Sequence, residues 1–259
     1  MGIASLVALA PAARAEGAPP APAPPAAQAD DTDKKPPRPP LPPLPEAKPV
    51  PWEEHAEIGG GVAFAEVLST QAGDGKPTPV RLRPGVGGHV RLAWHLLRYL
   101  DFTGYMVEAD HPLTMPSGSI GIPGSFANAS AHSYFFGGRL SPTLPIGDRV
   151  RLWATVGGGW GLVAYPDLTV TAPGGSPFTI RGRTSTIVEI PLGLGASFEI
   201  VPRWLRIYAE LTGSFYPSQI GAALEIGQAV DDTGRIRNVG PMPHLDGGFT
   251  QTIGLSLLL

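Results

Sequence analysis

Six histidines are the first residues to test for chemistry: His55, His89, His95, His111, His132 and His244. His89 and His95 stand six residues apart. On an extended chain that is about 20 Å, too far for one shared ion. His132 adjoins Ser133, and an esterase relay of Ser, His and acid could start from such a pair, but the spacing supplies no carboxylate to complete it. Asp231 and Asp232, followed by Thr233 and Gly234, offer two carboxylates to a cation in a pattern that also suits a solvated turn. The glycine runs lie inside strand-like patterns instead of between a strand and a helix, so no phosphate cradle is formed. With no cysteine in 259 residues, a thiolate zinc site, a Cys nucleophile and a disulfide framework are excluded. The expectation is no catalytic residue, no metal site and no cofactor.

A second set of charged residues recurs with a different logic. Glu57, Arg91, Asp101, Arg139, Arg151, Glu189, Glu199, Arg206 and Glu210 all fall on one face of segments that alternate apolar and polar residues. A period of two is the signature of a strand with two unlike faces. Eight such segments occur, near 55–66, 84–96, 99–110, 132–144, 149–165, 185–200, 204–216 and 247–259. In the sixth, Val188, Ile190, Leu192, Leu194, Ala196 and Phe198 share one face, and Glu189, Pro191, Gly193, Gly195, Ser197 and Glu199 the other. The charged face therefore consists of charges, Gly, Ser and Thr. Four Arg against five acids predict a network of paired, buried ions. Removing one member of such a pair strands the other.

The connections alternate as well. Short turns follow the second, fourth and sixth segments, whereas the joins 67–83, 111–131, 166–184 and 217–246 are long and rich in Gly, Pro, Ser, Thr, Asn and Asp. Each segment is long enough for a tilted strand to cross a bilayer, which takes about 9–11 residues. A soluble ligand-binding barrel would turn its apolar face inward. Here the charges would then face out, so a polar-in, apolar-out barrel in lipid is the cheaper arrangement. Apolar-face aromatics gather toward the segment ends: Phe64, Tyr134, Phe136, Trp160 and Phe215 at the long-loop side, Trp94, Phe102 and Phe198 at the short-turn side. They are expected to form two interfacial girdles.

Composition agrees. Only 16% of residues are charged, and the net charge of −3 leaves no electrostatic footprint for nucleic acid. Residues 1–15 contain an apolar run, Ile3 to Ala10, and end in Ala13-Arg14-Ala15, the form of a signal peptide whose start is truncated, since no basic segment precedes the run. Of 31 Pro, 15 lie within residues 1–51. Residues 16–51 are thus expected to be a disordered, extended linker, with Pro19 to Pro51 as its core and Pro36-Pro37-Arg38-Pro39-Pro40 as a weak docking motif. Residues 52–259 form the folded domain.

That domain resembles the small eight-stranded outer-membrane barrels of the OmpA/OmpX type, on strand number, loop asymmetry and the final segment Phe249-Thr-Gln-Thr-Ile-Gly-Leu-Ser-Leu-Leu-Leu259. The resemblance implies an all-β fold, an eight-stranded antiparallel transmembrane up-and-down barrel with a disordered Pro-rich N-terminal arm. It also implies that Phe249, Ile253, Leu255, Leu257 and Leu259 form a signal for the barrel assembly machinery, although an aromatic residue usually ends that signal. The expected location is the outer membrane of a Gram-negative cell envelope, with the arm in the periplasm. The expected partners are outer-membrane lipid, the assembly machinery, and peptidoglycan or a periplasmic protein through the arm, but no nucleic acid. Three functions stay open at this point: a structural or surface-interaction barrel with four long extracellular loops and a side-chain-filled lumen, a narrow gated, porin-like pore for small solutes, and a lipid-modifying enzyme.

Overall fold

Alternation builds the architecture directly, because a strand that presents unlike faces must separate them, and a closed barrel does so without leaving an unpaired edge. The computed structural model describes residues 56–70 and 80–259. The signal-like segment 1–15, the Pro-rich segment 16–51 and His55 lie outside the described residues. Eight long strands follow in order: β1 (Ala56–Thr70), β2 (Gly85–Leu97), β3 (Leu100–Thr114), β4 (Ser130–Ile146), β5 (Val150–Tyr165), β6 (Arg183–Val201), β7 (Leu205–Ile220) and β8 (His244–Leu258). Each pairs antiparallel with its sequence neighbour, and β8 pairs with β1, so the sheet closes on itself.

Several strands run further at the long-loop end than the sequence suggests. Pro112 and Pro217 read as terminators, yet both lie inside strands. Pro112 has no N–H to give, but it pairs with Ser130 and its carbonyl accepts from Arg83 N at 2.9 Å. Proline at the end of a ladder forfeits one bond and no more.

The register fixes the shape. Ala56 lies opposite Trp94, and successive partners are Phe102, Leu140, Val156, Leu192, Gly213 and Phe249, which returns to β1 at Glu66, not at Ala56. The circuit therefore gains ten residues along β1. With about 3.3 Å per residue and about 4.8 Å between strands, that stagger tilts the strands about 40° and sets a radius of about 8 Å. Such an interior is just wide enough for side chains to fill. Each residue climbs about 2.5 Å along the axis, and each step to the next strand in this circuit climbs about 3 Å.

The outer face is an apolar belt. Leu92, Leu140, Val156, Leu194, Leu211 and Ile253 all point out, and five of the six are more than 40% exposed. The three short turns need little: Gly147 and Arg203 take the left-handed conformation, at φ 63° each, and Arg203 N donates to Glu199 Oε1.

The long connections are not irregular. Arg81–Leu82 adds to β3 opposite Thr114 and Leu113. Leu168–Thr171 and Pro177–Ile180 form a hairpin, which Ser125–Phe126 joins as a third strand. Gly227–Val230 pairs with Ile236–Val239. Ile120, Ile122, Leu168, Val170, Ile180 and Met242 from these segments are almost wholly buried, in one cluster that continues down into the barrel mouth. The loops thus have a core of their own.

Candidate functional site: a layered lumen beneath a folded cap

All nine charged residues singled out above point into the barrel, and the tilt arithmetic sorts them into layers. Six titratable groups sit at the short-turn end. Arg206 bridges Glu57 at 3.2 Å and Glu199 at 3.4 Å. Arg151 lies 3.5 Å from Asp101, which also meets His95 at 2.6 Å. About 10 Å higher along the axis is a second layer, where Arg139 is paired with Glu210. Glu210 also accepts from Trp153 Nε1 at 3.1 Å and Thr212 Oγ1 at 2.9 Å.

Arg91 links the two layers. Its guanidinium lies between the rings of Trp153 and Tyr208, 5.0 and 4.8 Å from their centroids, and 3.8 Å from Glu57. Two aromatic faces offset part of the cost of burying that cation. Arg139 likewise stacks on Tyr105 at 3.7 Å. These rings fit because the neighbouring strand carries glycine. A Cβ at Gly195 would overlap the indole of Trp153, and one at Gly161 would overlap Phe135. The in-strand glycines are sockets for large lumen side chains.

Glu189 stands apart. It sits about another 10 Å up the axis and is held by hydroxyls, Tyr105 at 2.6 Å and Ser214. Among the described residues it has no salt bridge. Its level marks a boundary. Above it the inward face is mostly apolar: Val163, Ile187 and Tyr216 fill the mouth, with Phe135 and Tyr216 stacked at 5.4 Å, and the buried polar residues there, His111, Ser133, Ser185 and Gln219, hydrogen-bond in pairs. The expectation of a lumen face made only of charges, Gly, Ser and Thr is therefore corrected. In the lower half the charges are joined by Trp153, Tyr208 and Tyr105 and by small Ala63 and Ala93. Under the cap, Val163, Ile187 and Tyr216 dominate, and the buried polar groups among them are neutral and hydrogen-bonded, as a buried polar group must be to avoid a large cost.

The histidine–serine pairing is also corrected. His132 and Ser133 are adjacent, so they point to opposite sides of the sheet. His132 faces out and meets Asp110. Ser133 faces in and donates to His111 Nε2 at 2.9 Å, while His111 Nδ1–H donates to the Arg83 carbonyl at 3.1 Å. A Ser–His pair does exist, but it is fully buried, and Asp110 lies on the other side of the sheet.

Asp231 and Asp232 serve the cap. Asp231 Oδ1 accepts from Thr233 N, Thr233 Oγ1 and Arg235 N at 2.7–3.0 Å, and Oδ2 from Arg237 Nε at 2.8 Å. Asp232 reaches across to Ser176 N at 2.6 Å, tying the last hairpin to the preceding one. His89, His95 and His244 stay apart from one another as metal ligands: His89 bonds Tyr208 at 3.1 Å and His244 meets Asp246 at 3.2 Å.

On the outer face the eight expected girdle aromatics all point away from the lumen and are 38–59% exposed. Phe64, Phe136, Trp160, Phe215 and Tyr134 fall within about 5 Å of one height, and Trp94, Phe102 and Phe198 within about 6 Å of another, roughly 20 Å lower. Phe249 stands at the upper level, and Tyr99 and Trp204 in the short turns lie below the lower one. These three were missed as belt residues because one lies in the C-terminal run and two lie in turns. Of that C-terminal run, Phe249, Ile253, Leu255 and Leu257 share the lipid-facing side of β8, and Leu259 N donates to the Ala56 carbonyl at 2.9 Å.

A closed antiparallel sheet with a stagger of ten, an apolar exterior and buried ions inside defines a class: the chain is an eight-stranded barrel of the small outer-membrane type. No family model matches the sequence, and no curated protein does. Among solved structures, it is similar to Ail, the attachment invasion locus protein of Yersinia pestis, at 13% identity and TM-score 0.44, over 80% of this chain and 99% of that one. It is similar to Neisserial surface protein A at 11% identity and TM-score 0.46, over 79% and 97%. A major outer membrane protein from Thermus thermophilus aligns at 14% identity and TM-score 0.46, over 79% and 100%. The register and the two faces define the class; these likenesses do not add to it.

Proposed function

We propose that this chain is a non-conducting outer-membrane barrel whose work is done by its folded loop cap at the cell surface. One observation carries the reading: buried side chains fill the lumen at successive levels, an ionic network below and a mostly apolar cluster above. A barrel built to pass solutes leaves its axis open. This one invests Arg, Trp, Tyr and Phe in closing it and builds a second core from the loops. The proposal includes extracellular loops, a periplasmic short-turn end, and a C-terminal strand read by the barrel assembly machinery. In this reading Pro19 to Pro51 is a periplasmic tether able to meet peptidoglycan. Both ends of the barrel, Ala56 and Leu258, lie on the short-turn side, which supports placing the arm there.

The narrow gated pore is the second reading, favoured by the lower lumen. Arg91 Nε and Nη1, Arg139 Nε and the hydroxyls of Thr155 and Thr252 are buried without a hydrogen-bond partner among the described residues. Such groups suit a hydrated vestibule. Planar-bilayer recording of the refolded full chain separates the readings. Silence at the level of the bare bilayer is the expected result. Stable unit conductance steps would replace the surface-interaction reading with the pore.

A further inference from the structure

Between the two aromatic levels, the outward side chains are apolar or glycine with a single exception, Gln251 on β8. The outward acids, Glu66, Glu108 and Asp110, stand at or above the upper level. Gln251 lies about 5 Å below it, between Phe64 on β1 and Leu211 on β7. It is exposed, and among the described residues its amide has no hydrogen-bond partner. An amide facing hydrocarbon with nothing to bond is unfavourable, because no water is there to take its hydrogen bonds.

The surface around it is also unlike the rest of the belt. Ala196 and Ala209 face each other across β6 and β7, and Gly195 lies beside them. Together with Gln251 and Ile253 they line a shallow dent of about 470 Å³ on the lipid-facing wall. Leu194 and Leu211 rise at its rim, 67% and 51% exposed. Small residues in the floor let another wall approach closely, and the rim residues are knobs of the size that floor accepts.

Resting on the reading of the chain as a transmembrane barrel, we propose that the β6–β7–β8 wall is the contact face for a second copy of this chain, with the two Gln251 amides bonding each other. An amide carries one acceptor oxygen and two donor hydrogens. Across a two-fold axis one glutamine therefore satisfies its own image, each as donor and acceptor. A C2 contact is self-complementary by symmetry, and the same applies to rim leucine against the partner's small-residue floor. A different protein would have to bring its own polar group to one depth in the membrane. A second copy brings it automatically.

The chain has no cysteine, so single cysteines report proximity cleanly. In the full chain refolded into liposomes, Ala209→Cys is expected to give a dimer with a short bis-maleimide cross-linker. Leu140→Cys, on the outward face of β4, is expected to give none. Adding Gln251→Leu to Ala209→Cys is expected to lower dimer yield about tenfold, the scale of one interhelical-type polar contact in lipid. Equal yield from both cysteine positions, no dimer from Ala209→Cys, or a yield that ignores Gln251→Leu would each overturn the proposal. The last result would assign the amide to lipid. Heat-modifiable gel migration is read on every sample. If it is absent, the transmembrane barrel itself is refuted; if it is present without a dimer, only the contact face is.

Discussion

The two halves of the lumen solve one packing problem with opposite chemistry. Below Glu189 the interior is a ladder of ions, in which each buried Arg meets a carboxylate or an aromatic face. Above it Val, Ile, Phe and Tyr side chains run on into the core of the cap, and the polar residues among them, His111 with Ser133 and Gln219 with Ser185, are neutral hydrogen-bonded pairs. Both halves are filled with buried side chains; what differs is how their polar groups are compensated. The long-loop end is roofed by two hairpins and a third strand, so a charge there would be stranded. Lumen polarity in this barrel follows the roof rather than the strand pattern alone.

The sharpest way to break that comparison is to remove one ion from the lower half. Arg139→Ala leaves Glu210 buried and uncompensated, and the expected loss is about 3–5 kcal/mol. The global unfolding midpoint in urea, measured in lipid vesicles, should fall accordingly. Replacing both partners by apolar residues, Arg139→Met with Glu210→Leu, should recover most of that loss. A single substitution that unfolds at the parent midpoint would remove the ionic ladder as a structural element. The upper half should answer differently. Ile180→Ala opens a hole in the cap core at a local cost of about 2–5 kcal/mol. Because the cap packs on the barrel without contributing to its closed ladder, faster hydrogen exchange is expected in Leu168–Thr171 and Pro177–Ile180, with the barrel midpoint unmoved. Exchange that rises throughout β1 to β8 would show that cap and barrel unfold as one unit.

The sequence makes the lower half readable and the upper half opaque, for a physical reason. Period two assigns faces, so Glu57, Arg91 and Glu210 could be placed inward from their spacing alone. Charges opposite lipid are so costly that orientation follows as well. Which Arg meets which acid depends on the stagger of ten residues, which local pattern does not carry. Glu189 illustrates the limit: it is inward, as its position in β6 requires, but meets Tyr105 and Ser214 instead of an arginine. The cap was invisible because its strands are two to four residues long, too short for a period to show. Pro112 and Pro217 further disguised the strand ends as loops. Phe178 and Met242, buried in the cap, stand among Gly, Pro and Ser and give no signal of a core.

The smallest expected effect concerns the last hairpin, Gly227–Val230 with Ile236–Val239. Asp231 organises its turn, and four hydrogen bonds converge on its carboxylate. The hydroxyl of Thr233 is the strongest influence holding its pKa well below the usual carboxylate range, followed among the lowering influences by Arg237 and the backbone amides of Arg235 and Thr233. Asp231 is only 8% exposed, but its own turn provides that cover, so desolvation opposes these bonds without outweighing them. The folded form therefore prefers the ionised acid. A carboxylate with a depressed pKa contributes stability that is fully present above its unfolded value, near pH 4, and is lost as pH falls toward its folded value. Hydrogen exchange or limited proteolysis confined to residues 227–239 should stay flat from pH 7 to about 5 and increase below about pH 4. In Asp231→Asn the hairpin should already be open to the protease at pH 7, with no further change on acidification. A parent protein whose hairpin protection is the same at pH 3 and pH 7 would mean that the turn holds without the charge, and that backbone pairing with the neighbouring cap strands secures it instead.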